Sequence, residues 1–291
     1  MSSATTVIRS PFTVDGTEIE VYQSAQERVG LVVCAAHPVD TFGVATVELL
    51  ASVANTRVVC VNPRRVEPSV LTGPAAFERM VDDIEGVRKQ LGCDRWIFWG
   101  MSGGGWLAQL YAHRYPDALV AMIVESADPC FRQRLADPGC LLSPYFPAWR
   151  TALGERGLLA EGIHDRSVKC EDTEWLTVPD VGEVLRHRDG PALVVSPVPV
   201  ADEMRSAMPT LLTFDARPWL AELRLPSLVL CGSDDPVLPE RHARAVHQAV
   251  ANSSFFEAEG GGHVPTASGH EGAGHAVKDF LAGDLEGRLR I

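Results

Sequence analysis

Arg95-Trp96-Ile97-Phe98-Trp99-Gly100-Met101-Ser102-Gly103-Gly104-Gly105-Trp106 joins an apolar run of strand length to a helix-like segment through a glycine-rich turn. Residues 100–104 match G-x-S-x-G, directly after the strand Trp96 to Trp99 and directly before the helix that Trp106 opens. A sharp strand-to-helix turn forces the central serine into a strained backbone conformation. The positions two before and two after it must then be nearly free of side-chain bulk, which Gly100 and Gly104 satisfy. The Ser102 hydroxyl is expected to point out of the sheet, with the Gly103 amide at a helix start where its partial positive charge can stabilise an oxyanion. Two other readings compete. The turn could merely connect a strand to a helix. Alternatively, Gly103-Gly104-Gly105-Trp106-Leu107-Ala108 satisfies G-x-G-x-x-A, with Glu125 as the ribose-binding acid of an NAD(P) site about 20 residues on. Against the dinucleotide reading, the turn follows several earlier strand-like runs, and the downstream Asp and His motifs stay unexplained.

Outward from this turn, short apolar runs alternate with amphipathic segments, the pattern of an α/β protein with a mostly parallel sheet covered by helices. Gly30 to Ala36, Arg57 to Val61, Arg95 to Trp99, Leu119 to Glu125 and Ser227 to Cys231 read as buried strands, and Phe255 to Ala258 as the last strand. Phe12 to Val14 and Glu18 to Tyr22, split by Asp15-Gly16, read as an opening hairpin. Helices are expected at Val44 to Ala54, Phe77 to Leu91, Trp106 to Arg114, Glu240 to Val250 and Gly272 to Leu281. One stretch breaks the rhythm: residues 128–223 hold ten prolines and scattered aromatics but no sheet-forming series. This stretch reads as a mainly helical cap inserted into a core made of residues 1–127 and 224–291.

A serine hydroxyl needs an imidazole to accept its proton, and the imidazole needs a carboxylate to fix its tautomer. After the strand ending at Cys231 comes Gly232-Ser233-Asp234-Asp235-Pro236, where Asp235 is the choice for that carboxylate and Asp234 the alternative. Both could instead form an Asx-type turn and cap the helix beginning near Pro239. His263, at the end of the Gly260-Gly261-Gly262 run after the last strand, is the best placed of nine histidines. The order Ser102, Asp235, His263 is the one expected of a single serine-hydrolase scaffold.

Composition narrows the partners. With 38 acidic and 26 basic residues the formal charge is −12, which repels nucleic acid and anionic membrane surfaces and favours a small-molecule substrate. Met1 to Thr13 has no apolar run of signal-peptide length, and no later stretch reaches membrane-spanning length, so the expectation is a cytoplasmic protein. Of seven cysteines, Cys34, Cys60 and Cys231 lie in strand-like runs and read as free thiols. The absence of a CxxC pair, and of histidine near Cys130 and Cys140, argues against zinc. Aromatic residues Phe131, Phe146, Trp149, Trp175 and Trp219, with Tyr145 and Phe214, could line an apolar substrate pocket or form the cap's own small core; Trp106, just after the glycines, could line that pocket or pack between helix and sheet. Oligomeric state is not legible.

These motifs, from about Gly30 to Leu281 without the cap, resemble the α/β-hydrolase superfamily in its serine-nucleophile branch. Residues 100–116 (GMSGGGWLAQLYAHRYP) are similar to its proline-iminopeptidase-like and esterase-like members. The resemblance implies an eight-stranded sheet, a lid after the sixth strand and no cofactor. His37-Pro38-Val39-Asp40 stands where many members carry His-Gly, which implies Val39 as the second oxyanion donor beside Gly103. An iminopeptidase would need an acidic patch for a free amine, for which Glu125, Asp128, Glu171 and Asp172 are available. The expected activity is hydrolysis of an ester, thioester or amide through an acyl-enzyme. Acyl transfer, cyclisation or a lyase reaction on the same residues is the alternative, as is a non-catalytic ligand-binding member of the fold.

Overall fold

The computed structural model describes residues 5–25, 31–38, 42–64, 74–137, 139–140, 211–235 and 237–283, with 151, 154, 155 and 157 from the intervening stretch. Eight strands form one sheet: β1 (Val7–Val14), β2 (Thr17–Ser24), β3 (Val32–Ala36), β4 (Arg57–Asn62), β5 (Trp96–Met101), β6 (Leu119–Glu125), β7 (Ser227–Gly232) and β8 (Ser253–Ala258). Their order is β1-β2-β4-β3-β5-β6-β7-β8. The opening hairpin turns at Asp15 (φ 46°) and Gly16 (φ 77°), the two positive φ values that suit a tight hairpin turn. β1 and β2 run longer than their apolar cores suggest, because their outward positions carry exposed or half-buried residues such as Arg9 and Glu20. From β4 to β8 every neighbouring pair is parallel.

The central strands are buried on both faces, so their residues divide by parity between two cores. Trp96 and Phe98 face one side with α2 (Pro74–Gln90), α3 (Gly103–Arg114) and the helix Glu240–Ala249. Ile97 and Trp99 face the other with α1 (Val44–Ala54) and the helix Glu271–Ala282. Cys34 and Cys60 fall on opposite faces, fully buried, and burial pushes both thiols up, which leaves them as small hydrophobes. The six cysteines among the described residues are unbridged.

After β3 the chain moves outward to β4, and from β5 onward it moves the opposite way. The carboxyl ends of β3 and β5 therefore flank a topological switch point, the place where open α/β sheets form their crevice. Ser102 follows β5 there.

Within residues 128–223, the described portions pack as part of the core. α4 (Phe131–Ala136) and α5 (Arg217–Leu220) bury Phe131, Leu135 and Leu220 against α2 and α3. The two ends of the insertion are stitched together by the Cys130–Asp215 bridge and by Ala216 N–H donating to the Pro129 carbonyl at 2.7 Å. Phe146, Trp149 and Trp175, like Tyr145, lie outside the described residues, as does most of the proposed cap. No helix among the described residues is long and apolar enough to cross a membrane. Glu240–Ala249 and Glu271–Ala282 are the helices α6 and α7.

Candidate active site

Ser102 sits at the N-terminus of α3 with φ 50° and ψ −122°, a conformation that costs a non-glycine residue about 1–3 kcal/mol and persists only where its surroundings enforce it. Here its amide donates to the Glu125 carbonyl at 2.8 Å, and its own carbonyl accepts from Gly105 at 2.9 Å. The glycines are required by space. A Cβ on Gly100 would lie 2.3 Å from the Gly104 carbonyl oxygen, and one on Gly104 would lie 2.3 Å from the Ala36 carbonyl oxygen. Gly105 is equally closed, against Ala127 Cβ at 2.3 Å. α3 thus begins at Gly103 and not at Trp106. Glycine is a poor helix former, so a pattern reading starts the helix at the first apolar residue, whereas close packing of helix on strand demands glycines in its first turn.

Gly104→Ala should therefore lower unfolding stability by about 3 kcal/mol or more, because the obstacle is strand backbone and cannot rotate away. Gly274→Ala, in α7 with nothing within 4 Å of the added methyl, should instead raise stability by up to about 1 kcal/mol. Urea unfolding midpoints of the two variants check both signs.

The acid arrives from β7. Asp235 has a fully buried side chain, and its Oδ1 accepts the amides of Val237 at 2.8 Å and Leu238 at 2.9 Å. The same carboxylate meets His263 Nδ1, at 2.8 Å through Oδ2 and 3.0 Å through Oδ1. The sequence posed partner of histidine and turn-former as alternatives; Asp235 is both. Asp234 turns the other way, and its Oδ1 accepts the Gly262 amide at 2.9 Å.

The His263 loop is fitted over the end of β7. A Cβ on Gly232 would stand 2.1 Å from the Gly262 carbonyl oxygen, and Gly260 and Gly262 take φ of 69° and 68°, a region open to glycine. His263 Nε2 lies 2.9 Å from Ser102 Oγ. A carboxylate can only accept, so Nδ1 carries the proton toward Asp235, and Nε2 offers its lone pair to the Ser102 hydroxyl. Ser102, Asp235 and His263 are thus joined in one hydrogen-bonded line.

The Gly103 amide opens α3, where the helix dipole favours negative charge. Val39 lies outside the described residues, while His37 before it and Phe42 after it are fixed in place. His37 is buried against Gly103, whose added Cβ would come 2.8 Å from His37 Nε2. Asn62 grips Phe42 by both backbone groups, accepting its N–H at 2.7 Å and donating to its carbonyl at 2.8 Å. Asn62 carries no motif of its own; its position at the end of β4 is the only sequence signal.

The proposed substrate aromatics are placed differently. Trp106 and Phe131 are buried in a cluster with Phe77 and Phe214, the Trp106 and Phe131 rings meeting edge-on at 5.4 Å. Trp106 Nε1 donates to Asp128, and the Arg134 guanidinium lies over both rings, 5.3 and 4.8 Å from their centroids. In this arrangement both are core residues. Trp219 stacks on His113 at 4.5 Å, ten residues along α3 from Gly103 and so about 15 Å away from Ser102. The structure does not bring it to the serine.

Two carboxylates offered for an amine are also occupied. Asp128 is fully buried between Trp106 Nε1 and Arg134, whose Nε is 3.0 Å away. Glu125 is fully buried and takes hydrogen bonds from Trp99 and Thr266. It therefore cannot reach a ribose, which removes the acid that the dinucleotide reading required. Glu171 and Asp172 lie outside the described residues. Among the described residues no group of three or more His, Cys, Asp or Glu could hold a metal ion.

Comparison with known proteins agrees with this architecture. A Caulobacter sp. (strain K31) protein named as a carbamate hydrolase, RutD, is 28% identical over 250 residues, 81% of this chain and 85% of that protein. A pimeloyl-[acyl-carrier protein] methyl ester esterase of Edwardsiella ictaluri (strain 93-146) is 26% identical over 65% of this chain and 69% of its own length. Among solved structures, the proline iminopeptidase of Mycobacterium smegmatis superposes with a TM-score of 0.67 at 19% identity, covering 97% of this chain and 100% of that one. At that identity the likeness speaks for the fold. The model of the alpha/beta hydrolase family matches residues 31–275, and with that match over most of its length the chain belongs to the alpha/beta hydrolase family.

Proposed function

We propose that this enzyme is a serine hydrolase that cleaves an ester, thioester or amide bond of a small, partly apolar substrate. The observation that carries the reading is the line Asp235–His263–Ser102, with contacts of 2.8 and 2.9 Å. Ser102 Oγ attacks the acyl carbonyl as His263 Nε2 takes its proton, and Asp235 stabilises the imidazolium so formed. The Gly103 amide, with Val39 as the second donor, holds the oxyanion. Collapse of the tetrahedral intermediate breaks the bond to the leaving group, which receives the proton from His263. Water, deprotonated by the same imidazole, then releases the acid and restores Ser102.

Glu125 and Asp128 are both occupied and not open to a substrate amine, which favours esters and thioesters over aminoacyl amides. The names of the two relatives, an ester esterase and a carbamate hydrolase, support the same acyl-type chemistry. The test has two parts. Intact-mass analysis after treatment with a fluorophosphonate should show one adduct, mapped by peptide sequencing to Ser102. A panel of p-nitrophenyl esters, acyl thioesters and aminoacyl amides should then show turnover of the esters above the amides. An unlabelled Ser102 would sink the reading.

A further inference from the structure

Glu125 has no part in the chemistry just described, yet it touches both of its moving pieces. It ends β6 beside Met101 of β5, and its carbonyl receives the amide of Ser102 at 2.8 Å. Its side chain, wholly buried, turns to the other half of the site: Oε1 accepts the Thr266 amide at 2.9 Å, and the Thr266 hydroxyl lies 2.8 and 2.7 Å from the two oxygens. Thr266 is three residues beyond His263. Trp99 Nε1 donates to Oε2 at 3.0 Å and completes the set.

Both oxygens thus accept from N–H groups, which can only donate, and no Lys or Arg among the described residues forms an ion pair with this carboxyl. Burying such a charge is costly unless it is fully hydrogen-bonded and does something a neutral residue could not. Around it β5 supplies Trp99, β7 presents apolar Leu230, and the segment after β8 supplies Thr266. Burial holds the Glu125 carboxyl above its ordinary value, and the hydrogen bonds from Thr266 and Trp99 offset that only in part.

We propose that Glu125 is a positioning residue: through Thr266 it pins the segment that carries His263 at bonding distance from Ser102. This rests on the serine-hydrolase reading, so the experiment separates the two. The pH dependence of the second-order rate of Ser102 labelling by a fluorophosphonate is measured for the wild type, Glu125→Gln and Thr266→Val, with thermal melts of each. If the wild type is not labelled, the serine reading itself fails, and this proposal with it.

Given labelling, glutamine keeps one oxygen as acceptor but sets an NH₂ where the other oxygen accepts from Thr266 or Trp99, so the anchor weakens. The plateau of Glu125→Gln should fall about tenfold, since small misplacements of a base are costly. Thr266→Val removes the hydroxyl from the same anchor, and its plateau should fall by a similar factor. A folded Glu125→Gln enzyme with the wild-type plateau overturns the proposal, and a lowered one upholds it. Should Glu125→Gln fail to fold, a Thr266→Val plateau equal to that of the wild type overturns it, and a lowered one upholds it.

Discussion

Ser102→Ala is expected to lower kcat by about 10⁶, the loss seen when a nucleophile is removed from a site whose parts act as a unit. The substitution deletes only Oγ, whose contact is His263 Nε2 at 2.9 Å. The backbone at 102 keeps φ 50°, equally uncomfortable for serine and alanine, so the melting temperature should change little. With the fold intact, loss of turnover reports on chemistry alone. Fluorophosphonate labelling should vanish in the same variant. Turnover within tenfold of wild type would mean that water, and not Ser102, attacks the carbonyl. Binding of a competitive product acid should survive, because Ser102 is proposed to bond the substrate only during reaction.

The fold was legible where burial and parity left a strong pattern. β5, β6 and β7 are buried throughout, with polar residues only at strand ends, and a fully buried strand announces itself by composition. The edges were less so: β8 begins at Ser253, two residues before the apolar pair Phe255 and Phe256, because an edge strand needs only its ladder and not a continuous apolar run. The line of three site residues was legible because each follows a strand end at a turn whose glycines have a steric reason. The place of Trp106 was open between a pocket and packing on the sheet. Helix direction carries its ring into the cluster with Phe77, Phe131 and Phe214, and composition alone holds no record of that direction. Glu125 was visible only as a strand-terminal acid, a description that fits a ribose ligand and a buried loop anchor equally well. Thr266, which separates the two, lies 141 residues away.

The acid is the place where neighbouring residues of identical type can be told apart. Asp235→Asn is expected to lower kcat by about 10⁴ at neutral pH, against less than about tenfold for Asp234→Asn. An asparagine at 235 can still accept the Val237 and Leu238 amides through its oxygen, which fixes the side chain's orientation and turns its NH₂ toward His263 Nδ1. Two donors cannot share that contact. The imidazole then keeps its proton on Nε2, and the Ser102 hydroxyl faces a donor where it needs a base. At position 234 the side chain accepts from the Gly262 amide, which an asparagine oxygen reproduces. Equal losses in the two variants would place the negative charge of the whole turn, and not the Asp235 contact, behind the activity. The tenfold-or-less bound on Asp234→Asn therefore tests the assignment as sharply as the large loss at 235, since it shows that a charge one residue away, still within the same turn, cannot substitute for a bonded acceptor.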